Sequence, residues 1–305
     1  MAEEVFNTLG WQGVLVDVPE NWSVVGFYGD DKAGYFRIDS SIESVLEMRW
    51  NIKGKKEPDL KKSAHKFIDG IKKGLLKQNK KMRFEREVKY IEGSDFLNFT
   101  WDSEEKHGRG IIFLCKETMR VIFAHLFFSR NECKAQIINK IFASIRDDQK
   151  NNKNVRYSFY GLDFQLPHGF KSHKPILMSA YLSLVFKRKF EKAVIEQRNL
   201  AGAILKNKDL SEWFKIDVAL DFKAYNLKYE EIKINNFNAI KVHGGLSGFK
   251  GLMCYIFNFW RCPVHFECYA WHNTERNCIF TIRYLYNKNN AVLDVIYNSM
   301  LETNA

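Results

Sequence analysis

With 305 residues, 46% of them hydrophobic and 27% charged, the chain has the composition of a globular protein, which excludes disordered, collagen-like and low-complexity classes. Its length argues for about two domains, and 25 Phe within an aromatic share of 15% favour β-rich structure with large buried side chains. The net charge of +11 is concentrated in residues 53–83, where twelve Lys and Arg face only Glu57, Asp59 and Asp69.

In chain order, Met1-Ala-Glu-Glu-Val is acidic where a signal peptide needs base, and no apolar run follows. No stretch of about 18 apolar residues is present, so no membrane segment is expected. Val14–Val18 alternates and ends at Pro19, which predicts a short edge strand. Residues 34–38 and 44–51 read as a strand pair. A helix is expected over 59–79, with Leu60, Ala64, Phe67, Ile68, Ile71 and Leu75 on one face and Lys61, Lys62, Lys66, Lys72, Lys73 and Lys77 on the other. Strands near 83–91, 95–101, 109–115 and 120–128 follow, then a closing helix over 131–146 with Asn131 as its N-cap. Asp147–Asn154 is polar throughout and reads as a linker, which puts a boundary near residue 152.

Beyond that linker the pattern starts again. Trp11, Gly13, Pro19 and Trp22 match Phe159, Gly161, Pro167 and Phe170 in register. Val45-Leu-Glu47-Met-Arg49 matches Val194-Ile-Glu196-Gln-Arg198, and Val88-Lys89 matches Ile232-Lys233. Ile122-Phe123 matches Ile279-Phe280, and Ile141-Phe-Ala-Ser144 matches Ile296-Tyr-Asn-Ser299. Such self-similarity implies tandem units, 1–152 and 153–305. The order of elements then requires a helix around 209–224. The second unit also has an insertion near 244–263, where glycines bracket an apolar, aromatic run. It reads as an added strand packed on the core, or as an exposed edge for self-association.

In each unit a strand ending in apolar-x-Pro-x-x-aromatic (Val16–Trp22, Phe164–Phe170) leads through a strand pair, a helix and consecutive strands to a helix with Ile-aromatic-x-Ser. This pattern resembles the PsbP-like fold, the superfamily of the extrinsic oxygen-evolving proteins of photosystem II and of a Ran-binding nuclear import factor. The resemblance covers nearly the whole chain, taken twice. It implies an α+β fold, each repeat an antiparallel sheet covered by helices, and a non-enzymatic accessory or partner-binding role.

Three sets of residues have chemistry to weigh. The basic segment, Lys53, Lys55, Lys56, Lys61, Lys62, Lys66, Lys72, Lys73, Lys77, Lys80, Lys81 and Arg83, reads as a solvated face or as a polyanion-binding one. The six cysteines, at 115, 133, 254, 262, 268 and 278, form no C-x-x-C pair and read as reduced, mostly buried thiols of a cytoplasmic protein. Cys262, Cys268 and His272 are the weaker, metal-binding alternative. Glu47 with Arg49, and Glu196 with Arg198, stand two apart on strands, so each pair shares one sheet face and reads as a structural ion pair. No catalytic set stands out and no cofactor is implied. The expectation is a non-catalytic protein-interaction module, engaging an unknown protein partner or itself, with nucleic-acid or polyanion binding through 53–83 as the alternative.

Overall fold

The computed structural model describes residues 4–41, 44–52, 58–77, 85–90, 96–102, 106–129, 135–150, 153–173, 175–248, 252–253, 256 and 263–302. The chain divides into two compact units, Met1–Asp163 and Phe164–Ala305.

The first unit begins with a hairpin of β1 (Phe6–Trp11) and β2 (Val14–Pro19). Its two-residue turn, Gln12-Gly13, has both φ angles positive, the geometry that matches strand twist in a tight hairpin. With β10 (Arg146–Asp147) and β11 (Asn154–Phe159) the hairpin forms a sheet in the order β10-β2-β1-β11. Strand β2 is therefore interior and not an edge, because Arg146 and Asp147 pair with Leu15 and Val14. Its Val14, Leu15, Val16 and Val18 are all buried, so it is covered on both faces.

The expected linker also begins inside this sheet. Asp147 is buried and accepts from Thr118 Oγ1 at 2.6 Å and from Arg120 Nη1 at 3.2 Å, both partners of that ion pair being 1% exposed. Arg120 also donates to the carbonyls of Gln12 and Asp31. A buried guanidinium is tolerated only with such partners. The apolar-free composition of 147–154 thus reflects a buried polar fastening at its start.

The second sheet of this unit holds β3 (Ser23–Gly29), β4 (Ala33–Asp39), β5 (Val45–Ile52), β6 (Glu85–Tyr90), β7 (Phe96–Asp102), β8 (Lys106–Cys115) and β9 (Arg120–Ser129). Their order is β3-β4-β5-β9-β8-β7-β6, antiparallel throughout. Helix α1 (Leu60–Leu76) lies on one face, burying Leu60, Ala64 and Ile68 against Leu97, Phe99, Trp101 and Ile112. Asp59 caps it, its carboxylate accepting from the Lys62 backbone N–H at 2.9 Å. Helix α2 (Ala135–Ser144) packs on β2, where Ser144 Oγ accepts from the Asp17 N–H at 2.8 Å and donates to the Ile141 carbonyl.

The boundary between the units falls within β12 (Leu162–Pro167). In the second unit a sheet runs β13-β15-β16-β20-β19-β18-β17, with β14 also on β15. The strands are β13 (Lys171–Ser172), β14 (Ile176–Met178), β15 (Tyr181–Arg188), β16 (Glu191–Asn199), β17 (Tyr225–Ile234), β18 (Phe237–Leu246), β19 (His265–Asn273) and β20 (Cys278–Tyr286). Between β16 and β17 come α3 (Ala201–Ile204), α4 (Leu210–Asp217) and a 3-10 turn at Ala219–Phe222. A reciprocal capping box of Asp209 and Glu212 starts α4. Trp213, Phe214, Val218 and Phe222 bury against Val242, Phe266 and Cys268 of the sheet. Helix α5 (Ala291–Glu302) closes the unit, and its Ser299 Oγ accepts from the Gln165 N–H at 2.9 Å and donates to the Ile296 carbonyl.

These observations correct the expected fold class. Of the described residues 55% are strand and 23% helix, so the chain is mainly antiparallel β, built on three large sheets, and not an α+β protein of helix-covered sheets. The strands missed were β1, β3, β10, β11, β13 and β14. Asn7, Thr8 and Gly10 interrupt β1, and Gly26 and Gly29 interrupt β3, so local propensity is weak and neighbouring strands supply the ladder. Helix α2 is shorter than expected, ending at Ser144 because Arg146 already pairs with Leu15. The N-cap expected at Asn131 lies outside the described residues. So does most of the 244–263 insertion; Gly244–Leu246 is the end of β18, while 252–253 and 256 are helical and not strand. Among the described residues no helix is long and apolar enough to cross a membrane.

Candidate functional site

Strand alternation puts Glu47, Arg49 and Asn51 on one face of β5, the face that α1 covers. Phe123, His125 and Phe127 of β9, Trp101 of β7 and Lys106 of β8 share it. Between this face and the helix lies a cleft of about 750 Å³. From above, α1 contributes Ser63, Lys66, Phe67, Gly70, Ile71 and Gly74. A Cβ on Gly70 or Gly74 would meet no atom within 4 Å. Close packing does not require these glycines, although each costs the helix about 1 kcal/mol relative to Ala. Their effect is to leave the roof open.

On the floor, Trp101 Nε1 donates to His125 Nε2 at 2.7 Å. That bond puts the imidazole proton on Nδ1. Burial first, and the Arg49 charge second, push the His125 pKa down to about 3. The ring is thus neutral, framed by Phe99 and the edge of Phe67. Glu47 accepts from the Tyr35 hydroxyl at 2.8 Å, and Arg49 Nη2 stands 3.5 Å from its other oxygen. Burial, reinforced by the bond to Glu47, raises the Tyr35 pKa. The Arg49 guanidinium lies over the rings of Tyr35 and Phe67, and the Lys106 ammonium over Phe127. Asn51 Oδ1 is buried and has no hydrogen-bond partner among the described residues.

The second unit uses the same residues differently. Tyr181 stands opposite Arg198, as Tyr35 stands opposite Arg49. Arg198 lies over Tyr181 and over Trp213 of α4, as Arg49 lies over Tyr35 and Phe67 of α1. The Tyr181 hydroxyl donates to Glu196. Here, however, the carboxylate is sealed: Glu196 is 2% exposed and also accepts from Ser183, Thr281 and Arg283, the last at 2.5 Å. The two-apart Glu–Arg spacing therefore does not give the expected ion pair in this unit. Arg283 from the neighbouring strand reaches the buried carboxylate, while Arg198 turns to the aromatic rings.

Of the expected basic set, Lys61, Lys62, Lys66, Lys72, Lys73 and Lys77 are exposed on α1, and Lys66 also lines the cleft. Lys53, Lys55, Lys56, Lys80, Lys81 and Arg83 lie outside the described residues. For the metal alternative, Cys262 is likewise outside them. Cys268 is a buried thiol whose pKa burial raises, with His272 four residues along the same strand. Among the described residues no group of three or more His, Cys, Asp or Glu could hold a metal.

Sequence reasoning missed Tyr35, Asn51, Trp101 and His125. One signal was present: Gly108-x-Gly110 on β8 sits beside the aromatic alternation Phe99-x-Trp101 on β7, opposite in the ladder. A Cβ at Gly108 would fall 2.0 Å from Trp101 Nε1, and one at Gly110 would fall 2.0 Å from Phe99 Cζ. The glycines let the rings lie across the strand.

No protein-family model matches the chain, and no curated protein does. Among solved structures, the apo immunity protein TplEi of the T6SS from Pseudomonas aeruginosa is 9% identical, with a TM-score of 0.30 over 96% of each chain. DynU16, a protein in the dynemicin biosynthetic locus, is 7% identical, with a TM-score of 0.16 over 94% of this chain and 98% of its own. Overlaps that low assign neither a fold family nor a role, and neither bears on the PsbP-like resemblance.

Proposed function

We propose that the protein is a non-catalytic binding protein whose first unit takes its ligand in the cleft beneath α1. The observation that carries this reading is the open roof: Gly70 and Gly74 line a 750 Å³ space where larger side chains would fit. Its size lies in the range of small-molecule sites, roughly 300–1,000 Å³. The polar groups of the floor are held for recognition, not poised for proton transfer. His125 is neutral and bonded to Trp101, and Glu47 is bonded to Tyr35. In the second unit the matching carboxylate is closed off by its own donors, which supports a structural role there.

A fragment screen read by amide NMR of the labelled full chain tests this. Bound fragments should shift Asn51, Gly70, Gly74, Phe123 and His125 together, and Gly74→Leu should abolish those shifts. Leucine meets no neighbour within 4 Å of its Cβ there, so the variant should keep its fold. Fragment shifts scattered over both units, or unchanged by Gly74→Leu, would refute the proposal.

A further inference from the structure

We infer that the second unit carries an anion site of its own, where Lys187, Lys192 and Arg283 take a phosphate dianion, free or as a phosphate monoester. The site is separate from the cleft beneath α1 and does not depend on the role proposed there. Register sets the three cations side by side. Lys192 of β16 stands opposite Lys187 of β15 and opposite Leu285 of β20, two residues from Arg283. Alternation puts all four on the sheet face that buries Leu285 with Phe222. Arg283 spends its Nη2 on Glu196 and lies over the Phe222 ring at 5.7 Å, which holds the guanidinium in place. Lys187 is exposed and Lys192 is partly buried, and among the described residues neither has a hydrogen bond or an ion pair.

Like charges directly opposite each other on a sheet are destabilising. Here the effect reaches the ammonium. Burial first, then the Arg283 and Lys187 charges, hold the Lys192 pKa below its ordinary value, against the pull of Asp221 on the 3-10 turn and of Glu196 on its own strand. Glu196 is already bonded to Tyr181, Ser183, Thr281 and Arg283, and Asp221 is exposed. The residues of this unit outside the described ones, 174, 249–251, 254–255, 257–262 and 303–305, contain no Asp or Glu to supply more negative charge. Glu302 ends α5, which packs on the opposite face, where Tyr297 stacks on Tyr269. An arriving anion therefore relieves a repulsion that the unit's own carboxylates do not offset. Cationic donors on three adjacent strands match the several oxygens and the double charge of phosphate better than the two oxygens of a carboxylate.

Lysine side-chain NMR on the labelled full chain, following Nζ through a pH titration, reads the site directly. Saturating inorganic phosphate should raise the Lys192 pKa, because the anion favours the ammonium form. Phosphate should bind at least about tenfold tighter than acetate at equal ionic strength. Phenyl phosphate binding tighter than inorganic phosphate marks a monoester as the occupant, and weaker binding marks the free ion; either order supports the site. Lys192→Gln and Lys187→Gln should each weaken phosphate by about tenfold. Lys233→Gln, which removes the same charge from an exposed position of β17, should change affinity by less than about twofold. A Lys192 pKa unmoved by phosphate, or acetate binding as tightly as phosphate, would overturn the inference. So would an equal loss from Lys233→Gln, which would reduce the effect to net charge. The first two readings use the wild-type chain, so they stand even where a variant fails to fold. None of these results bears on the cleft beneath α1.

Discussion

Trp101 and His125 are joined by a 2.7 Å hydrogen bond that spans the whole width of strand β8, passing over Gly108. The indole of β7 thereby fixes the tautomer of an imidazole two strands away, and a residue with no functional group permits it.

Gly108→Ala should therefore destabilise the first unit. The new Cβ falls 2.0 Å from Trp101 Nε1, and an indole ring has no flexible end to yield. Overpacking of this kind costs about 1–3 kcal/mol. Gly26→Ala in β3, whose Cβ would meet nothing within 4 Å, is the matched control and should be near neutral. Urea denaturation of both variants makes the comparison, and equal midpoints would contradict the steric account.

His125 makes stability depend on pH in a defined direction. In the unfolded chain it takes up a proton near 6.5, whereas in the folded state burial postpones uptake to about 3. Between these values the unfolded state binds more protons, so acid favours unfolding. The contribution is fully present above 6.5 and declines as pH falls, by up to about 1.4 kcal/mol per pH unit. His125→Gln removes the titration. Wild-type stability minus variant stability should be constant above pH 6.5 and fall steadily toward pH 4. A constant difference over that whole range would show that His125 is not held neutral.

The two matched glutamates should differ sharply when neutralised. Glu196→Gln leaves Arg283 with its charge partner gone and its guanidinium 11% exposed, a loss of about 3–5 kcal/mol. Glu47→Gln removes a charge that is 19% exposed and whose arginine is half in solvent, and should cost within about 1 kcal/mol. Guanidinium unfolding of the single variants reads both values. Similar costs would mean that the two carboxylates are equally sealed.

Some of this organisation was legible from residue order. Leu60, Ala64 and Ile68 recur at helical spacing, and those three side chains bury α1 against its sheet. The repeated Ile-aromatic-x-Ser marks Ser144 and Ser299, each of which accepts from a strand N–H and donates back to its own helix. Both patterns are local: one turn of helix brings the relevant atoms together, so spacing suffices to find them.

What residue order by itself determined is the run of alternating segments, the amphipathic faces of the longer helices and the placement of charge, because each depends on neighbours within one or two turns. Only the tertiary structure decided that sheets, and not layers of helix, dominate the architecture, since weak strands such as β1 and β3 exist through pairing with distant partners. It alone decided the cleft as well. Its floor draws on β5, β9, β8 and β7, adjacent in the sheet in an order that differs from their order along the chain. The register of those pairings sets Glu47 opposite His125 and Trp101 opposite Gly108, and it is fixed by the burial of whole faces at once.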